Sequence, residues 1–350
     1  MTQAAKEAPT KGYTAVRDGS VGIMDLSARG RIMVSGSDAE MFLNGLVTND
    51  VKTLAVNSWM PAAFVSVQGR LLAAVRIIRR ADGFLFDTET ATRERVFRLL
   101  ERFSLAGDFK VADVTEQTAL LSLQGKAADQ LVRPEFGREA IEIDRQAIFR
   151  SEKGCDIVPA THTAEDGFDI FTDHVNADAL WKTFTEDGVV PVDEVTQEVL
   201  RIEAGIPRYG IDMDDTTVIS ETNLDEAISF TKGCYVGQEI IIRIKHRGHV
   251  AKKLTGILLE ERSELEPGTP ILSDDDVEVG RVTSSVISPH LDRTAAMAYI
   301  KFDYLKMLTP IKVERNGETL RGFVTGELPL VRGSWYELID NTPFPRRSAD

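Results

Sequence analysis

TKGCYVGQE, residues 231–239, sets a lysine, a cysteine, a tyrosine, two glycines and an amide–carboxylate pair side by side. The residues after it, IIIRIKHRG at 240–248, extend the pattern into a helix. Gly237 falls at the helix start, Glu239 in the first turn, basic residues in the last turn and Gly248 just beyond. Each choice suits a dipole that is positive at its start and negative at its end. β-Branched isoleucines lower intrinsic helix propensity, so burial of Ile240, Ile241 and Ile244 has to hold this segment down. Cys234 then lies shortly before a helix N-terminus with Lys232 two positions away, and both features favour a thiolate. The same exposed N–H groups and glycines would equally serve as an anion cradle. A lone cysteine is also commonly a buried, inert residue, and the local sequence leaves all three readings open.

Around this motif the bulk properties are those of a globular protein. The chain has 350 residues, too many for one ordinary core, so two or three domains are expected. Hydrophobic residues make up 43% and charged residues 27%, which excludes large-scale disorder. LLAAV at 71–75 and IIIRI at 240–244 fall far short of a bilayer span, and MTQAAKEAPTKG is too polar for a secretory signal. A cytoplasmic protein with no membrane partner is expected. Cys155 and Cys234 are the only cysteines, too few for a disulfide scaffold or for a four-thiolate iron–sulfur site within one chain. His246 and His249 come nearest to a metal pair, but basic neighbours crowd both, and no metal site is expected. A net charge of −14 argues against direct nucleic-acid binding. The exception is RIKHRGHVAKK, 243–253, which is either a solvated basic helix end or a landing strip for a polyanion.

Along the chain, RIMVSG at 31–36 reads as a strand. SDAEMFLNGLV follows as a helix with Ser37 or Asp38 as N-cap and Met41, Phe42 and Leu46 on its buried face. AAFVSVQGRLLAAVRIIR is a hairpin turning near Gln68-Gly69, and FLFDTE another strand. Apolar positions 96, 99, 100 and 103 predict a helix within 92–107, stopped by Gly107. TALLSLQG (118–125) and GFDIFTD (167–173) read as strands; NADALWKTFTEDG (176–188) and TQEVLRIEAGIP (196–207) read as helices. Hairpins are prominent and a regular βαβ rhythm is missing, so the fold class is α+β. Beyond residue 253, short β runs divided by Gly, Pro and Asp predict a small antiparallel barrel or sandwich.

KGCYVGQE resembles the signature of the YgfZ-type folate-binding proteins, relatives of the glycine-cleavage T-protein (aminomethyltransferase). GSDAEMFLNGLVTNDV at 36–51, QGR at 68–70, EDGFDI at 165–170, RIEAGIPRYGIDM at 201–213 and VTSSVISP at 282–289 resemble further landmarks of that family, in family order. The resemblance implies a three-domain cloverleaf. Two interleaved α+β subdomains would occupy 15–250, the second at roughly 50–110, with a β-barrel over 251–340. It implies tetrahydrofolate or a one-carbon-substituted derivative as cofactor. It also implies a role in iron–sulfur cluster assembly or repair, with iron–sulfur proteins or their assembly machinery as partners and effects on tRNA-modifying enzymes.

On this resemblance Cys234 would be the reactive or ligand-facing thiol, Lys232 its electrostatic partner, and Asp169 the carboxylate that binds the pterin. Glu203, Asn223, Gly233, Tyr235, Gly237, Gln238 and Arg243 would complete the cofactor site. Several have plainer readings: Glu203 as a structural ion-pair partner, Asn223 as a turn cap, Tyr235 as packing, Gly233 and Gly237 as turn formers. Asp169 is a shorter carboxylate than the glutamate it matches in the T-protein, and the sequence departs from the T-protein at two further places. Its aspartate after the hairpin glycine matches Ala73 or Ala74, which cannot guide a proton. Its pterin-side arginine falls on Gln197. The rivals to the YgfZ-type reading are therefore a true aminomethyltransferase and a scaffold with a vestigial folate cavity.

Overall fold

The computed structural model describes residues 9–136, 145–315, 317–326 and 328–337. Two sheets are interleaved along the chain. A six-stranded sheet takes its strands from Gly22–Asp25, Ala119–Gln124, Phe149–Arg150, Asp156–Pro159, Gly167–Thr172 and Val190–Pro191. Inserted after its first strand is a five-stranded antiparallel sheet: Gly30–Ser35, Ser58–Val65, Leu71–Arg80, Gly83–Thr88 and Lys110–Asp113. Where the sequence placed this subdomain at roughly 50–110, its strands begin at residue 30, and the helix Ala39–Leu46 packs with them. The third unit is a closed barrel of six antiparallel strands between Lys252 and Val324. The expected mixed α+β class with a C-terminal barrel is what the chain adopts.

Period-two burial produces these sheets. Leu71–Arg80 buries Leu71, Ala73, Val75 and Ile77 in turn, and Glu278–Ser288 buries Val282, Ser284, Val286 and Ser288 in turn. Gly167–Thr172 departs from that pattern, because strands pair with both of its edges and both faces are covered. Ile78, Leu85, Leu120, Val158 and Phe171 glue the two sheets together. Ile202 with Leu254, Val286 and Met297 seats the helix Glu194–Glu203 against the barrel.

Helix details depart from expectation in instructive ways. In Ala39–Leu46 the buried residues are Ala39 and Leu43, with Phe42 and Leu46 half-buried, while Met41 is exposed. Asp38 stands at the N-cap position but gives its carboxylate to the Asp108 N–H, tying down a distant loop instead of its own helix. The helix Arg93–Glu101 stops well before Gly107: Phe103 N–H turns back to Leu100, and Leu105 lies in solvent. His174–Glu186 starts two residues early because Asp173 caps it through the Asn176 N–H.

Candidate functional site

Where the two sheets meet the helix Glu194–Glu203, a cavity of about 500 Å3 opens, a size suited to a small organic ligand. Its wall carries acids (Asp25, Glu89, Glu194) and bases (Arg29, Arg201, Arg208), with His162 and Gln197 among them and an apolar stretch around Ile206 and Pro207. Strand ends and the loops leaving them supply Asp25, Arg29, Glu89 and His162, and the helix Glu194–Glu203 with the segment after it supplies Glu194, Gln197, Arg201 and Arg208.

From the wall inward runs an ionic chain joining the two sheets. Arg29 grips Asp87 with two bonds of 2.8 and 2.9 Å and reaches Glu89 at 2.6 Å. Arg76 Nε donates to Asp87 at 2.7 Å, and its Nη2 pairs with Asp169 at 2.5 Å. His162 Nε2 closes the chain, 3.0 and 3.1 Å from the two Asp169 oxygens. Asp87 and Asp169 are fully buried. Burial alone would raise both carboxyl pKa values, but the facing cations and hydrogen bonds hold both below the ordinary carboxylate range, Asp169 far below it. Asp169, the expected pterin ligand, therefore lies behind the wall, and His162 is the residue of this pair that lines the cavity. The sequence reading missed His162, and no spacing signal marks it: a turn separates it from Asp169.

Ala73 and Ala74 lie on opposite faces of their strand. Ala73 is fully buried in the core of the five-stranded sheet, whereas Ala74 shares its face with Arg76. Ala74 is half-buried against the cluster that holds Leu71 and Tyr209, and it offers a methyl group there.

Residues 231–243 form a separate locality, and none of them lines the cavity. Lys232 is buried, and its ammonium donates to the carbonyls of Asn44, Val47 and Asn49 at 2.6, 2.9 and 2.6 Å. These three bonds use all the donors a lysine has. Burial lowers its pKa to about 8, with Asp50 opposing and Lys52 adding to the shift. Its expected pairing with Cys234 is corrected accordingly: Lys232 caps the C-terminal end of the helix Ala39–Leu46, where carbonyls lack intrahelical partners. Cys234 is exposed, and Cys155 is the buried thiol.

Tyr235 packs with Leu71, Ile228 and Ile241, its ring 5.1 Å from the Lys232 nitrogen, and burial pushes its hydroxyl up to about 12. Tyr209 belongs to the same cluster and also lines the cavity, so it is the link between the two localities. Gly237 sits at φ 79°, and a Cβ there would lie 2.4 Å from the Ser66 carbonyl oxygen of the hairpin turn. Gly237→Ala is expected to cost about 2 kcal/mol through strain and that contact, read as a lower urea midpoint. At Gly233 a Cβ would meet nothing within 4 Å.

The remaining candidates are engaged locally. Gln238 reaches back to the Gly233 carbonyl at 3.4 Å, and Arg243 pairs with Glu239 one turn away. Asn223 adopts φ 64° and donates to the Leu254 carbonyl at 2.7 Å, tying a turn to the first barrel strand. Glu203 is fully buried and accepts from Tyr13, Arg17 and Ser288, so it joins the first helix to the barrel. Its cationic partner is Arg17; Arg201 pairs with Glu198 and Asp212. The basic strip is largely spent on its surroundings: Lys245 lies over the Phe230 ring, His249 stacks on Phe302, Lys252 lies over Tyr299, and Lys253 faces Asp225. That favours the solvated helix end over the landing strip.

Among the described residues no group of three or more His, Cys, Asp and Glu side chains could hold a metal ion, and no helix is long and apolar enough to cross a membrane. Residues 2–232 match the family model of the GCVT N-terminal domain, and residues 252–330 match that of the glycine cleavage T-protein C-terminal barrel domain. A protein of Rubrobacter xylanophilus named aminomethyltransferase is 33% identical over 292 residues, covering 82% of this chain and 78% of that one. A Geobacillus protein of the same name is 29% identical over 327 residues, covering 89% and 87%. The crystal structure of glycine cleavage system aminomethyltransferase T from Bartonella henselae superposes with a TM-score of 0.84 at 22% identity, over 92% of this chain and 89% of that one. From its first sheet to its barrel, the chain belongs to the glycine cleavage T-protein (GCVT) family.

Proposed function

We propose that this chain binds a reduced folate, tetrahydrofolate or a one-carbon-substituted derivative, in the cavity between the sheets. The observation that carries the reading is the wall itself: about 500 Å3 of space with acids and bases opposed across it, in a family whose cofactor is tetrahydrofolate. A pteridine needs hydrogen-bonding partners for its ring edge, and a glutamate tail needs cations. His162, Glu89 and Glu194 suit the first, and Arg208 suits the second. The folate would supply a carrier for one-carbon units. The protein's residues would bind it, orient it and shield it from water.

Two activities can be built on such a cavity. The relatives' names speak for aminomethyl transfer, and more directly than anything speaks for an iron–sulfur role. Against transfer stands an alanine, Ala73 or Ala74, at the position that the resemblance gives to the T-protein's aspartate. We therefore favour a YgfZ-type folate-binding protein serving iron–sulfur proteins, with the exposed Cys234 as its working thiol; this finer reading rests on KGCYVGQE. Titration with tetrahydrofolate followed by protein fluorescence should show saturable binding, and no response at high-micromolar ligand would remove the folate reading. Turnover of an aminomethyl-lipoyl carrier with tetrahydrofolate should stay at background. Robust turnover would establish the aminomethyltransferase instead. Cys234→Ala should fail to restore iron–sulfur enzyme activity in a deletion strain, and full restoration would remove the thiol's role.

A further inference from the structure

Asp169 stands on a strand paired on one edge with Ser122 and on the other with Val158, and its carboxylate has no solvent contact. Arg76 and His162 already engage its oxygens. A ligand entering the cavity meets the imidazole, because His162 lines that space and keeps 24% of its side chain exposed while Asp169 keeps none.

The histidine is also fixed at its backbone. Its N–H donates to Gln124 Oε1 at 2.9 Å, and the other end of the same amide donates to the Ala160 carbonyl at 3.1 Å. The amide fits only because residue 167 is glycine: a Cβ there would stand 2.1 Å from Gln124 Nε2. Backbone and ring are thus both held before any ligand arrives, the support that a binding group needs to act with fixed geometry. A carboxylate at Nε2 draws the ring proton to that nitrogen, which leaves Nδ1 for a partner in the cavity.

We propose that His162 is the ligand-contacting residue of this cavity, exchanging a hydrogen bond through Nδ1 with the polar edge of a heteroaromatic ring, and that Asp169 and Arg76 are positioning residues behind it. The identity of the ring rests on the folate reading above. Of the cationic groups on the same wall, Arg29 is taken up by Asp87 and Glu89, and Arg201 by Glu198 and Asp212, while Arg208, 3.4 Å from Glu198, is the cation assigned above to the tail. His162 is the residue whose second nitrogen is left to a ligand.

The test uses two probes: tetrahydrofolate, and p-aminobenzoyl-glutamate, which keeps the tail and lacks the pteridine. Each is titrated into wild type, His162→Ala, His162→Gln and Asp169→Asn, with thermal melts reporting the fold. His162→Ala should weaken tetrahydrofolate binding about tenfold or more, the effect of losing one good polar contact, and leave p-aminobenzoyl-glutamate at wild-type affinity. His162→Gln, which retains a hydrogen-bonding amide, should recover part of the loss. Asp169→Asn should weaken tetrahydrofolate by a smaller factor; if it does not fold, the two His162 variants decide. Wild-type tetrahydrofolate affinity in His162→Ala, or equal weakening of both probes, would overturn the proposal while the folate reading stands. A wild-type protein that ignores tetrahydrofolate would overturn the folate reading as well, so the two failures are distinct.

Discussion

Asp87→Asn is expected to lower the stability of the fold by about 3–5 kcal/mol, the cost of removing one partner from a buried ionic set. Asp87 is fully buried and receives three bonds from two guanidinium groups, Arg29 from one side and Arg76 from the other. Neutralising it leaves Arg29 with Glu89 and Arg76 with Asp169, so two positive groups share what remains. Urea denaturation at neutral pH measures the loss, and a change below about 1 kcal/mol would show that the chain is dispensable.

The same residue predicts the acid response. Asp87 and Asp169 have carboxyl pKa values below those of an unfolded chain. In acid the unfolded state therefore binds more protons, and stability rises with pH across that interval. The contribution is complete above the unfolded carboxylate value of about 4 and is lost as pH falls through the folded values. The gap between wild type and Asp87→Asn should accordingly shrink below about pH 4 and hold constant above about pH 5.

Lys232→Met should cost about 3 kcal/mol, because it strips the donor from three carbonyls at once. Methionine keeps the length of the stem, so the loss reports the ammonium and not a void. The second readout decides between two roles for this lysine. As a cap, its replacement should leave the alkylation rate of Cys234 within about twofold of wild type, since none of the ammonium's three bonds goes to the sulfur. A fall of more than tenfold in that rate would restore the pairing that the sequence suggested. Cys155 is fully buried and does not confuse the measurement while the protein is folded.

Much of the architecture could be read from the chain because its signals are local. The Gln68-Gly69 hairpin, the strand Gly167–Thr172, the change of texture before the barrel and the Gly237 helix start each depend on a few neighbouring residues. What escaped depends on distance. Asp38 looks like a helix cap until Asp108, far along the chain, is seen to claim its carboxylate. Lys232 looks like a neighbour of Cys234 until the end of a helix nearly two hundred residues earlier presents its carbonyls. Asp169 was legible as a special carboxylate, but its partners Arg76 and His162 come from another sheet and from across a turn. Neither partner carries a periodicity that would announce it.

The interleaving of the two sheets bears on the order in which the protein can be made. Gly22–Asp25 leaves the ribosome early, yet its partners are Ala119–Gln124 and Val190–Pro191. The inserted sheet has all five strands once Lys110–Asp113 has emerged. A vectorially synthesised chain can therefore settle its second subdomain first, while the opening strand waits nearly a hundred residues for its first partner and well over a hundred for its second.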